Sequence, residues 1–124
     1  MSMLNNSQKL GNSGEKHAVQ ELKKAGYKII ETNFRTKSGE IDIIGRENDY
    51  IVFIEVKTRR TNSFGSAKYS VNYKKQKKIC KAALYYLKST NNINSKARFD
   101  VVLVSVINNE KKINIIKNAF GLVQ

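Results

Sequence analysis

Apolar residues recur along the chain with two different periods, and the switches between them outline the elements. Ala18, Val19, Leu22 and Ala25 fall on one stripe of a helical wheel. The stripe predicts a helix that begins near Asn12 or Ser13 and stops at Gly26. Asn12 and Glu15 have the spacing of a capping box there, and Gly26 suits a helix end. Residues 27–35 are β-branched and aromatic and predict a strand, followed by a turn at Lys37-Ser38-Gly39. Residues 40–44 alternate, with Glu40, Asp42 and Ile44 expected on one face and Ile41 and Ile43 on the other. Residues 45–49 read as a hairpin loop. Residues 50–56 are almost continuously apolar, the pattern of a central strand covered on both faces. A basic loop over 58–70 follows, then a second helix over 72–88. Its apolar stripe is centred on Ile79, Ala83 and Leu87, with Cys80, Ala82 and Tyr86 flanking it. Two more strands are expected at 99–107 and 111–116, joined by a tight turn at Asn108-Asn109.

The order is therefore α-β-β-β-α-β-β, which predicts an α/β fold: a mixed sheet flanked by helices. The first 11 residues are polar and expected to be a flexible terminus, leaving 12–124 as one domain. No apolar run approaches the roughly 18–20 residues of a membrane span. The N-terminus has no apolar signal-like segment, so a cytoplasmic location away from membranes is expected. The single Cys80 excludes an intramolecular disulfide framework and a cysteine-rich zinc site.

Charge sharpens this picture through its position. The net charge is +13, but residues 1–55 carry 8 basic and 8 acidic side chains. Residues 56–99 carry 12 basic side chains and no acidic one. Lysine, asparagine and isoleucine together are what AT-rich codons would supply, yet codon bias does not explain segregation. A polyanion-binding surface follows, with nucleic acid as the first partner.

The candidate chemistry sits where the apolar run ends. In Ile54-Glu55-Val56-Lys57, alternation puts Glu55 and Lys57 on one face, about 6.6–6.8 Å apart. Pairing with the preceding strand brings Asp42 beside Glu55. Two close carboxylates repel unless a cation joins them, and oxygen donors suit Mg²⁺ or Mn²⁺. The plainer alternative is a solvated Glu55–Lys57 ion pair at a strand end. Glu15 lies in the centre of the first helix's apolar arc, so it either caps its helix, leans toward the metal, or does both. Gln76 lies in the inward arc of the second helix, where it orients a water or phosphate oxygen or is a satisfied amide. The helix lysines bind a phosphate backbone or form a solvated outer face. Arg59, Arg60 and Lys68, with Lys74, Lys75, Lys77, Lys78 and Lys81, are the candidate nucleic-acid contacts. Tyr73, Tyr85 and Tyr86 are expected in core or interface packing, with stacking on bases as the alternative.

"GE" at Gly14–Glu15, "GEIDII" at 39–44, "FIEVKTR" at 53–59 and a late "RFDVV" at 98–102 occur in that order. This set resembles the PD-(D/E)XK nuclease superfamily. More narrowly it resembles the uncharacterised bacterial YraN-like family, which is similar to archaeal Holliday junction resolvases. The superfamily's proline is absent, since Ile41 precedes Asp42. The resemblance implies a restriction-endonuclease-like core and metal-dependent phosphodiester cleavage. It also implies Asp42, Glu55 and Glu15 as metal ligands, Lys57 as a catalytic lysine, Gln76 as the fourth motif and a homodimer. DNA, branched or otherwise structured, is the favoured substrate over RNA. The alternative is a non-catalytic nucleic-acid-binding protein that retains the fold.

Overall fold

A computed structural model describes residues 6–60 and 71–122, with side chains described from Ser13 onward. Its elements are α1 (Asn6–Lys24), β1 (Lys28–Arg35), β2 (Glu40–Glu47), β3 (Tyr50–Arg59), α2 (Tyr73–Ser89), β4 (Lys96–Ile107) and β5 (Glu110–Phe120). The strands form one sheet in the order β1-β2-β3-β4-β5. All neighbours are antiparallel except β3 and β4, which run parallel and are joined through α2. The expected α-β-β-β-α-β-β order, with a mixed sheet flanked by helices, is the one observed.

Alternation along β3 divides the core in two. Ile51 and Phe53 pack with Ile79, Ala83 and Leu87 of α2. Val52 and Ile54 pack with Ala18 and Leu22 of α1. β4 repeats the division, Val101 and Leu103 on the α2 side, Val102 and Val104 on the α1 side. This double cover is why 50–56 reads as continuously apolar. Phe53 anchors the α2 side, with its ring edge-on to Tyr86 at 5.9 Å and tilted to Phe99 at 5.7 Å.

Local chemistry sets the ends. Gly26 takes φ +100, and the Gly26 and Tyr27 amides donate to the Lys23 and Leu22 carbonyls at 3.1 and 2.9 Å, closing α1 in a Schellman motif. Asn72 caps α2, its side chain accepting from the Lys75 amide at 2.8 Å. Asn108 and Asn109 both adopt positive φ, as a two-residue hairpin requires.

Four local expectations are corrected. α1 begins at Asn6, ahead of the start expected near Asn12 or Ser13; Gly11 weakens a helix but does not break one. β2 runs on to Glu47, and the turn is confined to Asn48 and Asp49. Gly45 marks a close approach within the strand, since a Cβ there would lie 3.0 Å from the Lys28 carbonyl oxygen of β1. Ile41 and Ile44 share the α2-side cluster while Ile43 joins the α1 side, so alternation breaks at Asp42. Finally, Tyr86 is buried as expected, but Tyr73 and Tyr85 are 61% and 60% exposed.

A buried polar cluster ties the far edge of the α1 side together. Asp100, fully buried, accepts from the Tyr27 hydroxyl at 2.8 Å, from Arg98 Nε at 3.0 Å and from the Asn118 amide at 2.9 Å. Arg98 also bonds Glu47, which accepts from Lys117 Nζ at 2.8 Å. Desolvation of Glu47 is outweighed by Lys117 and Arg98, and its carboxyl stays below the usual range. Asp100→Ala leaves Arg98 paired with Glu47 and strips the Tyr27 hydroxyl and the Asn118 amide of their acceptor, lowering unfolding free energy by about 1–3 kcal/mol. Lys117→Ala, at a half-exposed cation, costs about 1 kcal/mol or less. Urea unfolding checks both as shifts in midpoint at unchanged slope.

Candidate active site

Asp42 stands where the β2–β3 ladder stops. Register between these strands runs from Glu47↔Tyr50 to Ile43↔Ile54. One rung further, the Val56 amide donates to Asp42 Oδ2 at 2.8 Å, so a side chain takes over from a backbone acceptor. The same rung is irregular on the other side of β2. Asn33, facing Asp42 between the Thr32↔Ile43 and Phe34↔Ile41 pairs, adopts φ 55. Strand splay and the left-handed Asn33 together break the alternation and turn Asp42 toward Glu55.

Glu55 is 6% exposed, at the end of the doubly covered strand and on the α2 side. Burial, a hydrogen bond to the Asp42 carboxyl and that group's charge push its pKa up to about 8. Glu55 therefore keeps its proton well above the usual carboxylate range. Two lysines oppose the shift. Lys75 of α2 forms an ion pair with Glu55, Nζ to Oε2 at 3.4 Å, and Lys57 acts more weakly from the same strand.

Glu15 approaches from α1. Burial raises its pKa, the Asp42 charge adds to the rise, and a hydrogen bond with Asn33 opposes it. Gly14 permits this approach, because a Cβ there would lie 2.4 Å from Thr58 Oγ1 of β3. Asp42, Glu55, Lys57 and Glu15 are therefore brought into one electrostatic neighbourhood by α1, β2 and β3. Gln76 is held at the start of α2, its Nε2 donating to the Val71 carbonyl at 2.7 Å, which matches the satisfied-amide alternative.

The candidate nucleic-acid contacts divide. Arg59 and Arg60 leave the end of β3 beside the carboxylates, and Lys74, Lys78 and Lys81 are exposed on α2. Lys77 lies over the Tyr73 ring at 5.5 Å, and Lys75 turns inward to Glu55. Lys68 lies outside the described residues. Two site residues escaped the sequence reading. Lys75 was grouped with the phosphate contacts, although its place one residue before the inward Gln76 puts it at the edge of the buried arc. Asn33 has a weaker signal: an asparagine inside a β-branched and aromatic strand suits a left-handed kink.

Among the described residues, no three Asp, Glu, His or Cys side chains form a ready-made metal cage. The donor set still fits Mg²⁺ or Mn²⁺. Such ions commonly take one or two carboxylates and complete their shell with water and substrate phosphate. A buried carboxyl whose pKa is raised by burial and by a neighbouring carboxylate is what a divalent cation would relieve.

Glu55 makes stability depend on pH. Its pKa rises from about 4.5 unfolded to about 8 folded, so the native state binds the extra proton between these values. Its contribution is full below pH 4.5 and is lost as pH climbs to 8. Metal-free protein should therefore melt at lower temperature at pH 8 than at pH 5. Glu55→Gln should remove that part of the slope, and Mg²⁺ or Mn²⁺ at pH 8 should raise the melting temperature of wild type but not of Glu55→Gln.

Residues 14–104, a span that includes the three carboxylates and Lys57, match the model of the uncharacterised protein family UPF0102. A UPF0102 protein of Thermodesulfovibrio yellowstonii is 50% identical over 111 residues, covering 90% of this chain and 95% of its own. Relatives of the same description from Desulfosudis oleivorans and Clostridioides difficile are 48% and 49% identical over 118 and 117 residues. They cover 95% and 94% of this chain, and 94% and 100% of their own. A solved structure described as "Crystal structure of SSO0001" aligns with a TM-score of 0.40 at 17% identity. That alignment covers 94% of this chain and spans 54% of the solved chain.

Proposed function

We propose that this chain, which belongs to the uncharacterised protein family UPF0102, is a metal-dependent nuclease acting on DNA, branched or otherwise structured. One observation carries the reading: the Asp42 carboxyl meets the buried Glu55 at the end of a core strand, with Lys57 on the same strand and Lys75 against Glu55. A protein that only bound phosphates would gain nothing from carboxylates at the mouth of its basic surface. They would repel the ligand.

Asp42 and Glu55 would hold Mg²⁺ or Mn²⁺, with Glu15 as a direct or water-bridged ligand. The bound ion would acidify water and neutralise charge on the phosphate. Asn33 orients Glu15, and the Val56 amide fixes Asp42 by donating to Oδ2. Lys57 supplies a positive charge beside Glu55, placed to orient the attacking water and to stabilise the crowded phosphate oxyanion. Arg59, Arg60, Lys74, Lys78 and Lys81 would hold the phosphate backbone in a salt-sensitive, sequence-independent way. Gln76, tied to Val71, would support the first turn of α2 and through it Lys75.

The test incubates purified protein with branched, nicked and single-stranded DNA and with RNA, in Mg²⁺ or Mn²⁺. Wild type should cleave at least one DNA, and Asp42→Ala should slow cleavage by about 10²- to 10³-fold, the loss typical of one preorganised electrostatic group. Background-level cleavage of every substrate by wild type and Asp42→Ala alike would refute the enzyme. Tighter nucleic-acid binding by Asp42→Ala in that case would leave a binding module in its place.

A further inference from the structure

We infer that the trench between the β1–β2 turn and α2 holds an unpaired nucleic-acid strand, its phosphates against Lys37 and Lys78 and a base stacked on Tyr85. The inference rests on the nuclease reading and names the part of the substrate that lies beside the cutting site.

Two recesses share the turn as a common wall. One, of about 410 Å³, lies between Arg35, Lys37 and Gly39 of the turn and Lys75, Lys78 and Ile79 of α2. The other, of about 740 Å³, continues from the same turn to Tyr85. The single carboxylate lining them is Glu40, and Arg35 engages it at 3.4 Å. What remains is basic. At its inner end the trench reaches Lys75, whose ammonium contacts Glu55, so a strand lying in it leads to the carboxylates.

The wall is built to keep its shape. Thr36 Oγ1 accepts from the Ser38 and Gly39 amides, each at 3.1 Å, and donates to the Gly39 carbonyl at 3.0 Å. Gly39 lies so near α2 that a Cβ would be 2.8 Å from the Lys78 carbonyl oxygen. The trench is thus a fixed gap between two contacting elements.

Tyr85 defines the ligand. Its ring is 60% exposed and rests on Phe34 alone among the described aromatic contacts, at 6.3 Å and 35°. From Lys75 to Tyr85 is ten helical residues, about 15 Å. That span is too long for one phosphate and suits a short run of nucleotides. A duplex keeps its bases stacked inside and offers Tyr85 no free face. An unpaired strand offers both a backbone for the lysines and a base for the ring.

The test measures anisotropy of labelled oligothymidylate, oligouridylate and a blunt DNA duplex on the full chain, in chelator and low salt so that no cleavage intervenes. Tyr85→Ala should weaken single-strand binding about five- to hundredfold, with duplex binding held within about twofold. Tyr85→Phe should restore it, because the stacking face remains. The double variant Lys37→Ala, Lys78→Ala should lower the slope of log affinity against log salt on single strands by about 1.4. The two oligonucleotides separate DNA from RNA as the source of the strand. Absence of single-strand binding by wild type, wild-type affinity in both variants, or equal losses on duplex and single strand would each overturn the trench. Cleavage by wild type together with any of those results discards the trench and keeps the nuclease. Tyr85-dependent strand binding without cleavage does the reverse.

Discussion

Two carboxylates at hydrogen-bond distance in a dry strand end cannot both be ionised unless a cation joins them. Asp42 and Glu55 live under that constraint, and much of the local structure follows from it. Glu55 is dry because β3 is covered by a helix on each face. Asp42 reaches it because the β2–β3 ladder ends one rung earlier and the strand turns at the left-handed Asn33 opposite. Gly14 lets α1 close on Thr58 and carries Glu15 into the same field. Lys75, entering from α2, and Lys57 on the same strand oppose the Glu55 shift only in part.

The contrast with the second polar cluster separates function from stability. Arg98, Lys117, Asp100 and Glu47 are two cations and two anions. Their polar atoms are bonded to one another and to Tyr27 and the Asn118 amide. Nothing in that cluster asks for a ligand; its burial fastens β2, β4 and β5 to the start of β1. The Asp42–Glu55 cluster differs: Lys75 and Lys57 only partly oppose the rise in the Glu55 pKa that burial and Asp42 cause. A shift of that kind is what the proposed site would use.

Much of this was legible in the residues. The continuous run at 50–56, the capping Asn72 and the Asn108-Asn109 turn each carry a local physical signal, and each element they announce is present. The nearness of Asp42, Glu55 and Lys57 also followed from period-two alternation plus a hairpin. What could not be read depends on through-space neighbours. Gly45 looks like a turn residue until the Lys28 carbonyl is seen against it. Ile41 looks opposed to Ile44 until the rung at Asn33 breaks the alternation. Lys75 belongs by composition to a basic face, and only the packing of α2 on β2 turns it inward. Arg98 and Asp100 are two residues apart and could not reveal Tyr27, Glu47 and Lys117 as partners from distant elements.

Charge shows the same limit in a more useful form. Along the sequence, the first 55 residues are neutral and the next 44 wholly basic, which suggests a cutting half and a holding half. In space the division does not hold. Arg35 and Lys37, from the balanced half, face Lys75 and Lys78 of the basic half across the trench. Lys75 crosses the other way and joins the carboxylates. Glu47 is paired with Arg98 and Lys117, and Glu40 with Arg35. Lys37 of the first half and Lys78 of the second then line the trench together, so the positive surface near the carboxylates draws on both halves. A phosphate chain drawn to that surface would be led to Asp42 and Glu55, whose carboxylates would repel it. A divalent cation is what would make the two compatible.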